Sequence, residues 1–506
     1  MKRIFLLLFV GLTTATAVAQ TILTINDTEI SKQEFEYYYN KNNHNQIQQV
    51  SATQYMDMFV NFKLKVMEAI ANQYDTVQAF KDELQSYRNQ LVGPYLTDTV
   101  KRNQLVEEAY KHLLEDIEVS HILFAYDFPH EAPVALEKAQ KARKKLTKSN
   151  FAQKAVELSE DPSVQYNKGY LGYATGGAYV YPFEEAAYAL KKGKISQPVR
   201  TNFGYHLILL HNRRPSNGEV RVAHIFKQKP QYADSAQLAS IKTEVFNLYK
   251  QLQEGANFAE MAQNHSEDGS AAKGGELPWL SLGDTNPFFE EAAFALNAER
   301  RLSEPAEAPY GWHIIYLLEK RPIGPIENYK AQLTSRVTQD ERRKIIQQSF
   351  IEKLKKDYHF QAKNSNDIIA TFADKSLTKA DLDAFCQTHP HSNDSINDFI
   401  NYSLIQHENS QLETKYPEFG LLMQEYKDGI LLFNICNDLI WSKASKDTEG
   451  LKAFFEANKA DYPADYTYKK GPVVNDYQTV LEKQWLDSLH SKYTITINQD
   501  VLNSIQ

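Results

Sequence analysis

The stretch Val119 to Leu210 opens on Val119-Ser120-His121-Ile122-Leu123. It passes through Asn150-Phe151-Ala152, Ser159-Glu160-Asp161 and Phe183-Glu184-Glu185-Ala186-Ala187, and its last landmark is Gly204-Tyr205-His206-Leu207-Ile208. A second copy follows. It opens on Val222-Ala223-His224-Ile225, passes through Asn257-Phe258-Ala259, Ser266-Glu267-Asp268 and Phe289-Glu290-Glu291-Ala292-Ala293, and ends Gly311-Trp312-His313-Ile314-Ile315. The landmarks keep one order, and the two histidines stand 85 residues apart in the first copy and 89 in the second. Self-similarity at that length is the mark of a duplicated structural unit.

Both copies carry a His on the first strand, a Ser-x-Asp loop, a Phe-Glu-x-Ala helix and a Gly-x-His last strand. This set resembles the parvulin family of peptidyl-prolyl isomerases. Two such units in one exported chain are similar to the SurA and PpiD type of periplasmic folding factor. The resemblance covers about 200 residues strongly and the flanks more weakly. It implies an α+β fold: two parvulin-like domains, each a small four-stranded antiparallel sheet with helices, plus a mostly α-helical chaperone body from the N- and C-terminal segments.

With 506 residues, the chain is too long for one core. The expected division is a signal peptide over 1–19, a helical segment over 20–117, parvulin domains over 118–213 and 219–321, and a second helical segment over 322–506. Lys2 and Arg3, the apolar run Ile4 to Leu12 and the small-x-small site Ala17-Val18-Ala19 form an export signal. No later segment is apolar enough to span a bilayer, so stable membrane insertion is not expected. Net charge −8 and the lack of a basic run interleaved with aromatics argue against nucleic acid as a partner. The 30 tyrosines and 26 phenylalanines would suit a binder of apolar peptides, and serve equally as core and surface. Cys386 and Cys436 sit in no metal-type cluster; a disulfide between them and two buried thiols both remain open. No His-Glu-x-x-His, Walker-type loop or Gly-x-Ser-x-Gly elbow occurs, so no metal or cofactor is expected.

Along the chain, Thr21 to Ile25 reads as a strand and Asn26-Asp27 as a turn, with Ser31 and Glu34 as a capping box. Helices are expected over Thr53–Asn72, over the run carrying Phe80, Leu84, Tyr87 and Leu91, over Thr99–Ile117, and over Pro133–Leu146. Asn150 with Gln153, and Asn257 with Glu260, read as matched helix caps. Gly169, Gly172, Gly176 and Gly177 read as turn glycines, and Arg213 to Gly218 as the linker between copies. A long charged helix is expected over Glu327–Tyr358. Beyond it, Asp374 to Leu382 echoes Asp27 to Phe35, and Phe399 to Leu404 echoes Phe59 to Leu64. Gly324 to Tyr358 similarly echoes Gly471 to Tyr493, and Thr494 to Ile497 alternates as a strand. The inference is that the N- and C-terminal segments pack together as one body.

The peptide bond before proline turns slowly because its partial double bond sets a barrier of about 18–20 kcal/mol. A catalyst needs no covalent step. It must favour the twisted, less polar amide, with a dry apolar seat for the ring beside a small hydrogen-bonded cluster. The resemblance assigns His121, Asp161 and His206 to that cluster in the first copy, and His224, Asp268 and His313 in the second. It assigns Leu171, Tyr179 and Phe183, and Leu277, Thr285 and Phe289, to the seats. The histidines would orient the Asp rather than transfer protons; the plain alternative is that they are satisfied core residues. The family often has Met where Tyr179 and Thr285 stand, and an aromatic where Ala174 and Leu280 stand, so both seats are altered. Glu184-Glu185 starts a helix and needs only the helix dipole to explain it. The reading is an exported peptidyl-prolyl isomerase and chaperone acting on unfolded secreted or outer-membrane polypeptides. The alternatives are a holdase with catalytically weak parvulin domains, and an envelope scaffold that binds one fixed partner.

Overall fold

A computed structural model describes residues 20–43, 49–363, 365, 367–390 and 394–505. The expected export signal lies outside them. The chain folds into two compact units. One is Thr97–Lys353; the other joins the chain up to Leu96 with the chain from Leu354 onward. The helix Thr99–Leu113 and residues 322–353 thus belong with the duplicated domains, not with the helical body.

In Thr97–Lys353, the first domain is built on the strand Glu115–Ala125, which takes in residues expected to be helix because the preceding helix stops at Leu113. It pairs antiparallel with Gly204–Pro215 along eleven register positions, Glu115↔Pro215 to Ala125↔Gly204. Tyr170–Ala174 lies on its other edge and Val199–Thr201 lies outside Gly204–Pro215, giving four strands. The period of two sorts the side chains. Ile122, Leu207 and Leu209 pack under Ala135, Ala139 and Ala142 of the helix Ala132–Arg143. Ile117, Val119, Ile208 and Leu210 face the other way, onto Phe183 and Ala187. His121 and His206 share the parity of this second set.

The second domain repeats the plan with Glu219–Gln228, Gly311–Arg321 and Ala306–Ala308. Its fourth strand is reduced to bridges at Glu276 and Leu280. The cause is Pro278, at the place Gly172 holds in the first copy: proline has no N–H to give the ladder. Leu277 and Leu280 still donate to Val222 and Val220, both at 2.9 Å.

Several expected details differ. Arg213 and Arg214 are strand, so the linker is only Ser216–Gly218. Their neighbourhood explains it: Arg214 pairs with Asp116 at 3.2 Å and lies 3.8 Å over the Tyr173 ring. Asn257 caps its helix as expected, accepting from the Glu260 N–H at 3.2 Å. Asn150 does not: its oxygen accepts from the Thr147 N–H at 2.8 Å and its amide donates to Lys145 O, tying down the preceding turn. The long charged helix is broken into Lys330–Gln339 and Arg342–Asp357, because the Asp340 carboxylate turns back to accept from Arg342 N–H and its guanidinium.

The other unit holds the echo as structure. Ile495–Ile497, Thr21–Ile25 and Thr28–Ser31 form one three-stranded sheet; Gln361–Ala362, Ile368–Phe372 and Lys375–Thr378 form another in the same order. The helix Ala52–Ala71 places Glu68 to accept from Tyr493 at 2.8 Å, and Glu408 of Ser395–Ser410 accepts from Tyr358 likewise. Ser31 accepts from the Glu34 N–H, but the Glu34 carboxylate does not close the box. It pairs with the buried Lys63, which also meets Asp428 at 2.5 Å, and Tyr38 adds its hydroxyl to Asp428. Cys386 is half-buried, Cys436 is buried, and both are free thiols.

Candidate active site

Each site begins with how its loop is fixed to its first strand. In the first domain Ser159 Oγ accepts the Leu123 N–H at 3.1 Å, and the Glu160 carboxylate accepts the Ala125 N–H at 2.6 Å. Ser266 and Glu267 do the same for Phe226 and Gln228. The Asp that follows is held by its own turn: the Ser163 N–H donates to Asp161, and the Ser270 N–H to Asp268, each at 2.8 Å. Glycine is needed on the far side of the strand. Gly169 (φ 79°) and Gly275 (φ 78°) lie so close to His121 O and His224 O that a Cβ would sit 2.5 Å and 2.3 Å from them.

In the first domain the assigned cluster forms a line. His121 Nε2 lies 2.7 Å from Asp161 Oδ2, as a close ion-pair contact rather than a well-aimed hydrogen bond. His121 Nδ1 lies 3.1 Å from His206 Nδ1, and His206 Nε2 lies 2.8 Å from Thr201 Oγ1. The Phe203 N–H donates to Thr201 Oγ1 at 3.1 Å. One proton order that satisfies these contacts keeps both rings neutral. Thr201 donates to His206 Nε2, His206 donates from Nδ1 to His121 Nδ1, and His121 presents Nε2–H to an ionised Asp161. The approach of His121, opposed by burial, holds the Asp161 carboxyl well below the usual range. Burial, then the neighbouring His121, pushes His206 down to about 3, so it is neutral near pH 7.

The apolar side is Phe183, whose ring stands edge-on to His121 (5.9 Å) and His206 (5.3 Å). Tyr179 lies 4.7 Å from Phe183 and closes the seat with Leu171. The structure therefore brings together His121, Asp161, His206, Leu171, Tyr179 and Phe183, and adds Thr201.

The second domain brings His224, Asp268, His313, Leu277 and Phe289 together more loosely. His224 Nε2 stands 3.1 Å from Asp268, and the two Nδ1 atoms stand 3.4 Å apart. Ala308 occupies the place of Thr201, and the buried His313 Nε2 has no partner. Burial, then His224, pushes His313 down to about 4. Phe226 stacks on His313 at 4.9 Å, and Phe289 stands edge-on at 5.2 Å. Thr285 stands at the register of Tyr179, and its N–H and hydroxyl both turn to Glu290. Burial opposes ionisation of Asp268, but Ser270 and His224 bring its carboxyl down to about 2.

Three residues escaped the sequence reading. Thr201 stands five before the last-strand His, and setting the copies side by side exposes it, because the other copy has Ala308. Glu184, assigned there to the helix dipole, and its counterpart Glu290 are buried hydrogen-bond acceptors. Among the described residues no cluster of His, Cys, Asp and Glu is arranged to hold a metal, and no helix is long and apolar enough to cross a membrane.

The family model for the rotamase, PPIC-type peptidyl-prolyl isomerase domain matches residues 121–212 and 224–319. The chain therefore carries two parvulin domains of the peptidyl-prolyl isomerase type. It is similar to the chaperone SurA of Methylobacillus flagellatus, 33% identical over 239 residues, which is 46% of this chain and 52% of that protein. It is also similar to the chaperone SurA of Nitrosospira multiformis, 28% identical over 309 residues, 57% of this chain and 68% of that protein. A crystal structure of a PpiC-type isomerase domain is 29% identical, covering 22% of this chain and 98% of that one, with a TM-score of 0.19. The chain spans about half to two thirds of the length of these two curated relatives.

Proposed function

We propose that the protein is an exported chaperone with peptidyl-prolyl isomerase activity, and that turnover resides in the first parvulin domain. The observation that carries it is the line of close contacts from Thr201 through His206 and His121 to Asp161, laid beside the Phe183 seat. A planar amide is dipolar, with negative charge on oxygen; twisting removes that polarity. An ionised Asp161 set toward the carbonyl oxygen disfavours the planar form and so lowers the barrier to the twisted one. The histidines hold the carboxylate in place and charged, and Phe183, Leu171 and Tyr179 seat the proline ring. The second domain lacks the terminal hydroxyl and has threonine where the first seat has tyrosine. This supports the holdase reading for that half: it binds proline segments and turns them over poorly.

The pattern of residues 1–19 supports export to the periplasm. The likeness to chaperones supports unfolded polypeptides as partners, with secreted and outer-membrane proteins the class the family resemblance implies. The test is exchange of an Ala-Pro peptide, followed by NMR, with the full-length protein and with Asp161→Ala and Asp268→Ala variants. Loss of exchange with the first substitution alone establishes the assignment. Absence of exchange from the unsubstituted protein, with suppressed aggregation of an unfolded barrel protein, would replace it by the pure holdase.

A further inference from the structure

We propose that Glu184 and Glu290 are positioning residues for the two proline seats, each a buried carboxylate that clamps the loop supplying the seat wall. The proposal rests on the isomerase reading and names what shapes its binding pocket. Each glutamate directly follows the Phe that floors a seat, so on one helix the Phe faces the substrate side while the Glu faces back to the loop. Glu184 Oε2 accepts the Gly177 N–H at 2.5 Å, two residues before Tyr179. Its other oxygen lies 2.9 Å from His112 Nδ1. The His112 ring is itself immobilised, stacked 3.9 Å from Tyr188, whose hydroxyl donates to His112 O and Glu115 O. Glu290 Oε1 gathers the Gly283 N–H at 2.9 Å, the Thr285 N–H at 2.8 Å and the Thr285 hydroxyl at 3.3 Å.

Both glutamates are under 5% exposed. Burying a carboxylate is costly unless hydrogen bonds compensate, and here the compensating donors are the backbone of the seat loop. Gly177 and Gly283 stand at the same place in the two loops with φ of 97° and 100°, a left-handed turn that aims each N–H at its carboxylate. The duplication kept the clamp while it varied the wall residue from Tyr179 to Thr285. The charged and titratable groups facing the clamps are His112 and the Arg336 guanidinium on Gly177 O in the first domain. In the second they are Asp284 and, from the first domain, the Tyr179 hydroxyl. Burial, with Asp284 adding to it, pushes Glu290 up to about 7 against the pull of the Thr285 and Gly283 N–H groups.

The experiment uses the full-length protein, glycine-¹⁵N labelled, with Glu184→Ala, Glu184→Gln and Glu290→Gln variants. A clamp predicts that Glu184→Ala raises KM for an Ala-Pro peptide about tenfold, as loss of a charged hydrogen bond does, with kcat within about twofold. Glu184→Gln, which keeps an oxygen for Gly177, restores most of the binding. In the unsubstituted protein one glycine amide, Gly283, titrates with a midpoint near 7, and Glu290→Gln abolishes that titration. A fall in kcat at constant KM, no rescue by Gln, or no titrating glycine would overturn the proposal. Should Glu184→Ala not fold, the Gln variants and the glycine titration decide the matter. Should the unsubstituted protein show no turnover, the isomerase reading fails, and the clamp is judged by the glycine amides and the peptide Kd alone.

Discussion

The two parvulin domains share a backbone plan, and their histidine lines differ at one hydroxyl. Thr201 completes a chain of donors and acceptors in the first; Ala308 leaves the buried His313 Nε2 without a partner in the second. The looser spacing runs the same way: 3.4 Å against 3.1 Å between the histidines, and 3.1 Å against 2.7 Å at the Asp. The Asp268 side chain is also more open than Asp161, 36% exposed against 21%. A pair of histidines therefore does not make a site. What the first pair has and the second lacks is a hydroxyl partner for the last-strand His.

The largest expected effect breaks the comparison outright. Asp161→Ala lowers kcat/KM for an Ala-Pro peptide by about a hundredfold, as loss of one positioned electrostatic group does. Asp268→Ala leaves the protein within about twofold. Equal losses from both substitutions would end the assignment of turnover to the first domain. A smaller effect sharpens it. Thr201→Val removes the hydroxyl and costs about three- to tenfold, while Ala308→Thr adds a hydroxyl at the same register position and raises turnover in an Asp161→Ala background by a similar factor. Steady-state assays read both.

Less again is expected from exchanging the walls. Tyr179→Thr raises KM about threefold and Thr285→Tyr lowers the second domain's peptide Kd by about as much, since an aromatic wall adds contact area over the ring. Titration of labelled peptide checks it.

The smallest is the acid response. His206 and His313 have folded pKa values of about 3 and about 4, below the ordinary 6.5. Between those values and 6.5 the unfolded chain binds protons that the folded domains do not. Stability is therefore full above pH 6.5 and is lost as pH falls, down to about 4 for the second domain and on to about 3 for the first. Hydrogen exchange at the two last strands, followed from pH 7 to 3, should show the second domain levelling off first.

Much of this was legible in the sequence because duplication prints the same constraint twice. The paired histidines, the Ser-x-Asp loops and the Phe-Glu helices could be set in register without coordinates. Thr201 was not legible from one copy, because a threonine five residues before a histidine means nothing until a tight hairpin folds it back onto that ring. Glu184 was misread, and Glu290 passed over, because a carboxylate at a helix start has a sufficient local explanation, and their burial depends on a loop folding over from earlier in the chain. Asn150 was misread as a cap for the converse reason: its side chain had a nearer backbone turn to satisfy. The missing fourth strand of the second domain needed only Pro278 to be weighed against the expected ladder.

The sheet that joins Thr21–Ile25 to Ile495–Ile497 sets a timetable for the nascent chain. Leu23 pairs with Ile497 and Ile25 with Ile495, so the first strand to be synthesised is among the last to find its neighbour. At typical synthesis rates of about 5–20 residues per second, that wait is on the order of a minute. The companion sheet has no such delay, because Gln361–Ala362 lies just ahead of the hairpin it completes. Both duplicated domains, built from contacts within about 100 residues, can close while the opening hairpin still lacks its third strand. A protease that removes residues 495–505 would leave those domains standing and unpick the hairpin at residues 21–31.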